Sequence, residues 1–196
     1  MKVLFIIAMD KEALKLADDY KLKKVNDGYY KNDNLELLIT NPTRNGVTSK
    51  LSNYIYDYNI DIRNYICINV GMVGSNNLKI GDVYMVNNSY GYNFDMTMFD
   101  KKLYEAPYSP FKLNTLSNVK LCDCYTSDSF VLSTNIKSDA LFDMELNSIV
   151  TFPFKKIYSI KLISDSLSNV EFENFNYDDI VPNIYNMIDE IIKENE

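Results

Sequence analysis

The stretch YICINVGMVGSNNLKIGDVYMVN, residues 65–87, decides how the chain folds. Its first six residues, apolar but for Asn69, read as a strand buried on both faces of a sheet. Gly71, Gly74 and Gly81 then punctuate the chain and mark tight backbone at that strand's exit. DVYMVNNSYGY, 82–92, reads as a further strand with a polar middle.

Working outward, KVLFIIA at 2–8 has the same buried-strand character, and DKEALKLADDY at 10–20 reads as a helix with Asp10 as its candidate cap. KLKKV and LELLIT, at 21–25 and 35–40, are two shorter strand-like runs flanking GYYKNDN, whose glycine, asparagines and aspartate suit hairpin turns. NGVTSKLSNYIYDYN, 45–59, predicts a helix with Leu51, Ile55 and Tyr58 on one face. Residues 98–118 read as a loop carrying Pro107 and Pro110, and VKLCDCY (119–125) and YSIKLISD (158–165) return to strand character. The C-terminal segment 177–196 carries Ile180, Ile184, Met187, Ile188 and Ile191 as a helical stripe, with Pro182 near the helix start where it is tolerated.

Strands alternating with helices, plus the extra hairpins, predict an α/β fold: a single domain over 1–196 with a central mixed β-sheet flanked by helices. With 196 residues, 46% of them hydrophobic, the chain can bury one substantial core but not two. The apolar run at 2–9 is broken by Asp10, Lys11 and Glu12, which leaves it too short for a signal-peptide core or a membrane span. A soluble cytoplasmic protein with no membrane partner is the expectation.

Composition restricts the chemistry sharply. There is no histidine, so proton transfer must use carboxylates, tyrosines, lysines or water. Histidine-dependent triads and histidine-ligated zinc are excluded. The three cysteines are odd in number, and Cys122 and Cys124 alternate as along a strand, so they read as small buried residues and not as a disulfide or metal set. A net charge of −7 argues against a nucleic-acid partner and for a small ligand.

Three carboxylates, Glu12, Glu145 and Asp165, each lie just beyond an apolar run. In open α/β sheets ligands gather at the carboxyl ends of strands, and Glu12, the segment Gly71 to Gly74, and Asp165 fit that placement. Each acid also has a plain structural reading. Glu12 is a first-turn helix acid, Glu145 a surface residue at a helix start, and Asp165 either a cap for the next helix or a desolvated general acid.

Six blocks, MKVLFIIAMDKEA, INVGMVGSNNLKIGDVYMVN, NFDMTMF, YTSDSFV, FDMELNSI and IKLISDS, resemble successive blocks of the nucleoside phosphorylase superfamily. The resemblance spans residues 1 to about 166 and is closest to the 5′-methylthioadenosine/S-adenosylhomocysteine nucleosidases. It implies hydrolysis of the N-glycosidic bond of an adenosine-type nucleoside with release of the base, without metal or cofactor. It assigns water activation to Glu12, purine protonation to Asp165 and the ribose hydroxyls to Glu145. Met144 would pack under the sugar, Phe130 would stack on the purine and the Val131 backbone would bond its edge. Ser164 would support Asp165, and Gly71 and Gly74 would let the backbone approach the ligand. A homodimer is also implied, with Tyr104 and Tyr108 as the loop aromatics lent to a neighbouring pocket.

The chain departs from the nucleosidase pattern at Met72, where a serine is usual, at Ser75 for glycine, Tyr92 for histidine and Leu146 for alanine, and NPTRNG (41–46) replaces a glycine-rich loop. Met72 and that loop would alter the ribose and 5′ side of the pocket. Two alternatives remain open at this stage. A phosphorylase would need an oxyanion site, for which Arg44 is the candidate because Arg63 reads as a solvated charge and Asn69 stands where phosphorylases tend to carry arginine. A non-catalytic nucleoside-binding protein would not need both a leaving-group acid and a water-activating base.

Overall fold

A computed structural model describes residues 2–175 and 181–196. Its elements in chain order are β1 (Lys2–Ile7), α1 (Asp10–Asp19), β2 (Lys23–Asn26), β3 (Tyr29–Lys31), β4 (Leu35–Ile39) and α2 (Arg44–Asp57). They continue with β5 (Tyr65–Ser75), β6 (Val83–Gly91), β7 (Phe111–Lys112), β8 (Leu121–Thr126), β9 (Leu141–Asp143) and α3 (Leu146–Ile149). β10 (Lys156–Asp165), α4 (Asn169–Asn174) and α5 (Val181–Glu194) complete the chain. Among the described residues no helix is long and apolar enough to cross a membrane.

All ten strands join one mixed sheet in the order β10-β6-β8-β9-β5-β1-β4-β3-β2, with β7 on β6. β10 also pairs with β5, so β5, β10, β6, β8 and β9 close into a ring from which β1, β4, β3 and β2 extend. That closure depends on β5, which is buried along its whole length. Such a strand leaves no amide to water, so it must find partners at every level. It does so with β1 and β10 in parallel register and with β9 antiparallel at Gly74 and Ser75. Gly71 and Gly74 therefore lie inside the strand and do not mark its exit; the extra partner β9 extends the ladder past them.

Period-two alternation sends side chains to two cores. Val3, Phe5, Ile7, Ile66, Ile68 and Val70 pack beneath α1 and α5, whereas Leu4, Ile6, Tyr65 and Cys67 pack beneath α2. On α5, Ile184, Ile188 and Ile191 are buried and Met187 is half-buried; Ile180, the first member of the expected stripe, lies outside the described residues. The buried stripe of α2 is Val47, Leu51 and Tyr54, with the expected Ile55 and Tyr58 only half-buried. Asp10 is not the cap but the first residue of α1; the cap position is Met9, whose amide donates to the Glu12 carboxylate at 3.2 Å. GYYKNDN is not a single connection either: Tyr29–Lys31 forms its own strand between β2 and β4, giving two successive hairpins.

Glu36, inside the apolar run of β4, is buried and accepts hydroxyl bonds from Tyr29, Tyr54 at 2.7 Å and Tyr65 at 2.8 Å, with Lys2 at 3.7 Å. Burial alone would raise its pKa, but these donors more than offset that and hold the carboxyl below its ordinary value. A folded pKa below the unfolded one contributes stability above the unfolded value and loses it as pH falls. Glu36→Leu should therefore destabilise the protein by roughly 3 kcal/mol near neutral pH, because three buried hydroxyls lose their acceptor. The gap from wild type, read by urea unfolding, should narrow in acid; an equal gap at both pH values would contradict this role.

Candidate active site

A cleft opens at the carboxyl ends of the parallel strands. All nine residues singled out as site candidates, Glu12, Met72, Gly74, Phe130, Val131, Met144, Glu145, Ser164 and Asp165, line it. They arrive from separate elements: the first turn of α1, the far half of β5, the loop after β8, the β9–α3 junction and the end of β10. Tyr104 and Tyr108 do not line it. Tyr104 stacks on Tyr92 at 5.6 Å in its own chain, and Tyr108 is exposed.

Glu12 reaches across from α1 to accept the Met72 amide at 2.8 Å through Oε1, while Oε2 accepts the Met9 amide. Its pKa is raised because it is buried, against the lowering effects of the Met72 amide, Lys161 and the Met9 amide. A bare carboxylate here would be expensive; two amide donors aimed at it allow it to ionise.

Asp165 sits where β10 shifts register against β5 and pairs with Gly74. Ser164 donates to Oδ2 at 2.9 Å and the Ser168 amide to Oδ1 at 3.1 Å. Burial raises its pKa, with the Ser164 hydroxyl and the Ser168 and Leu167 amides pulling the other way. The cap of α4 is Ser168, so Asp165 does not cap that helix as the sequence suggested, although it accepts the Ser168 amide just before the first turn. Gly74 is required by this packing: a Cβ there would lie 2.8 Å from Asp165 Oδ1 and 3.1 Å from Leu167 Cδ2. Met72 and Gly74 are two residues apart on β5, so the groups gathered at them are separated by roughly 6.6 Å along the strand.

Glu145 precedes α3 and is half-buried, not a surface residue. It accepts the Thr43 amide at 3.1 Å and the Met144 amide at 3.3 Å. Its pKa is pushed up to about 7, first by burial and then by the charge of Asp143. Phe130 is partly exposed at the mouth and meets Phe172 of α4 edge to face at 5.7 Å.

Lys161 and Asp143 were not anticipated from the sequence. They form a fully buried ion pair at 2.8 Å, and Asp143 also accepts the Thr126 hydroxyl at 2.6 Å and the Leu146 amide at 3.1 Å. Burial opposes the ammonium, but Asp143 and Glu145 raise its pKa above the ordinary lysine value, so it stays charged. Lys161 Nζ and Glu12 Oε1 both come within 4 Å of the point where a Gly71 side chain would begin, at 3.8 and 3.6 Å. The available signal was a charged residue in the middle of the apolar run YSIKLISD, which needs a partner if the strand is buried.

Neither arginine lines the cleft. Arg44 forks onto Asp128, with Nε to Oδ1 at 2.8 Å, and Arg63 pairs with Asp61 in an exposed turn. Asn69 does line it, but its amide is committed to the Ile6 carbonyl at 3.0 Å and to the Ser159 hydroxyl at 2.9 Å.

No protein-family profile and no curated protein sequence matches the chain. Solved structures do. The 5′-methylthioadenosine/S-adenosylhomocysteine nucleosidase of Neisseria meningitidis, in complex with methylthio-immucillin-A, aligns with a TM-score of 0.77 at 20% identity, over 98% of this chain and 99% of that one. A Helicobacter pylori nucleosidase mutant with 5′-methylthioadenosine in its active site gives 0.76 at 17% identity, covering 96% and 98%. A futalosine hydrolase mutant of Helicobacter pylori gives 0.76 at 18%, covering 97% and 99%. Identity at this level establishes architecture, and the alignment runs through almost every residue of both chains, so the protein has the nucleoside phosphorylase-like fold of these nucleosidases.

Proposed function

We propose that the protein is a purine nucleosidase that hydrolyses the N-glycosidic bond of an adenosine-type nucleoside, such as 5′-methylthioadenosine or S-adenosylhomocysteine. The observation that carries this reading is the convergence of Glu12, Glu145 and Asp165 in one cleft, Glu12 and Asp165 buried and Glu145 half-buried, each held by different donors and each with its pKa raised. Similarity of fold to nucleosidases that hold such ligands supports the choice of substrate class.

In this mechanism the purine is held by Phe130 and the Val131 backbone, and the sugar lies over Met144 with its hydroxyls on Glu145. Asp165 gives its proton to N7 as the N9–C1′ bond breaks and the bonding electrons pass to the base. Water attacks C1′ and yields its proton to Glu12, leaving free base and free sugar. Positive charge develops on the ribose during this step, so carboxylates beside it stabilise the transition state more than the ground state. The raised pKa of Asp165 suits a group that must hold a proton before donating it.

Water is favoured over phosphate as nucleophile because the single cation among the described residues lining the cleft, Lys161, is already paired with Asp143. Phosphorolysis would need a free planar cation there, and Arg44 is engaged with Asp128. A silent binding protein would have no use for a proton-holding acid and a separately supported base in one cleft.

The protein is further proposed to act as a cytoplasmic homodimer in nucleoside metabolism. Its three unpaired cysteines suit a reducing compartment. Met98, Phe99 and Leu103, close together in sequence, and Leu132 are large apolar side chains left at least half exposed, and a second copy of the chain would cover them. Sedimentation equilibrium should return twice the chain mass, and a monomer at micromolar concentration would refute the assembly.

Incubation with methylthioadenosine, S-adenosylhomocysteine, adenosine and inosine, with and without phosphate, should release free base and free sugar irrespective of phosphate. Ribose 1-phosphate as product would replace this reading by phosphorolysis. Asp165→Asn should lower kcat by about 10²–10⁴-fold while ligand binding by calorimetry persists; full activity would eliminate it as the acid. Because Glu145 must be ionised to accept the ribose hydroxyls, kcat/KM should fall as pH drops through about 7. A profile flat down to the ordinary carboxylate value of 4.5 would remove Glu145 from that role.

A further inference from the structure

The segment that replaces the expected glycine-rich loop is held in an unusual conformation. Asn41 and Thr43 both adopt positive φ, 64° and 87°, and a β-branched residue pays a steric penalty there. The strap is also folded tightly onto α2: a Cβ on Gly46 would lie 2.9 Å from the Asn41 carbonyl oxygen. Such a conformation persists only when its surroundings over-determine it.

Three contacts do so. The Thr43 hydroxyl accepts the Gly46 amide at 3.3 Å and caps α2. The Thr43 amide donates to Glu145 at 3.1 Å. Arg44 forks onto Asp128, in the loop that leads directly into Ser129, Phe130 and Val131 of the cleft wall. The Arg44 guanidinium lies 5.0 Å above the Phe94 ring. Phe94 in turn is seated against Gly91, where a Cβ would come within 2.3 Å of the ring. The strap after β4, the turn after β6 and the loop after β8 thus meet at one guanidinium, whose side chain is only 15% exposed.

We propose that the Arg44–Asp128 pair is a clasp that joins the sugar side of the cleft to its base side, fixing Thr43 on Glu145 and the Phe130 loop against the strap, so that Arg44 is a positioning residue. The proposal rests on the nucleosidase reading for its kinetic consequence, but not for its mechanical one. A bidentate pair specifies angle as well as distance, so it can set the separation of two loops that share no backbone ladder. The Thr43 amide also lowers the pKa of Glu145 against the larger effect of burial, so release of the strap drives that pKa upward.

The test uses Arg44→Ala, Asp128→Ala, the double variant, and the charge exchange Arg44→Asp with Asp128→Arg. Hydrogen exchange by mass spectrometry on the free protein reads the clasp without reference to activity. Each single variant should accelerate exchange in both 41–46 and 127–131, and faster exchange in neither segment, or only in the mutated one, overturns the proposal. With a nucleoside that the wild type hydrolyses, each single variant should lose about 10-fold in kcat/KM and the double variant no more than either. The acidic limb of the pH profile should move to higher pH, which general loosening of the fold would not produce, and the charge exchange should recover part of both losses. Additive losses, or an unmoved acidic limb, also overturn it. Absence of any hydrolysis by the wild type, with the exchange pattern intact, would reject the nucleosidase reading and leave the clasp standing.

Discussion

Lys161 carries the only positive charge among the described residues that line the cleft, and it is buried between carboxylates. It rises from β10 and Asp143 from β9, the two strands that flank the far half of β5. Their ion pair therefore crosses the strand on which the whole sheet turns. A buried ammonium without a partner would cost several kcal/mol, and so would a lone Asp143; together, with Thr126 and Leu146 completing the carboxylate's bonds, each makes the other tolerable. The pair fixes where β9 and β10 stand relative to each other, and so where Glu145, two residues beyond Asp143, and Asp165, four beyond Lys161, emerge.

One cation cannot neutralise four acids. Asp143 takes the direct contact, and Glu12, Glu145 and Asp165 are left to be supported by dipoles. Their donors differ: backbone of β5 and α1 for Glu12, a hydroxyl and a helix-start amide for Asp165, the strained strap for Glu145. At all three the effect of burial outweighs that of these donors, unlike at Glu36, where three hydroxyls together prevail. Each is therefore held above the ordinary carboxylate range, the direction that favours carrying a proton in a chain without histidine.

Much of this was legible in the sequence where local pattern and burial agree. The strands at 2–8, 65–70 and 158–165 declared themselves as apolar runs, and the α5 stripe was visible at Ile184, Ile188 and Ile191. The site acids were legible for a different reason, as residues following such runs within blocks that resemble a known superfamily. What local pattern could not carry is non-local pairing. β5 continues through Gly71 and Gly74 because β10 carries the ladder to Gly74 and β9 takes it up at Gly74 and Ser75, both from far along the chain. Closure of the sheet by β10 on both β5 and β6 has no local signal at all. Glu36 and Lys161 look like surface charges interrupting strands until the three tyrosines and Asp143 are brought to them by the fold.

The same logic bears on the nucleophile. An anion bound beside β5 would have to recruit donors from Asn69, Arg44 or Lys161, and each is already committed: Asn69 ties β5 to β1 and β10, Arg44 holds two loops together, and Lys161 holds Asp143. Freeing Asn69 or Lys161 would leave a buried polar group or charge without its partner, a penalty of about 1–3 kcal/mol or more that the incoming anion would first have to repay. Water demands no such rearrangement. In the proposed reaction it needs one acceptor and a small gap, and Glu12, held by two amides over a glycine at position 71, would supply both.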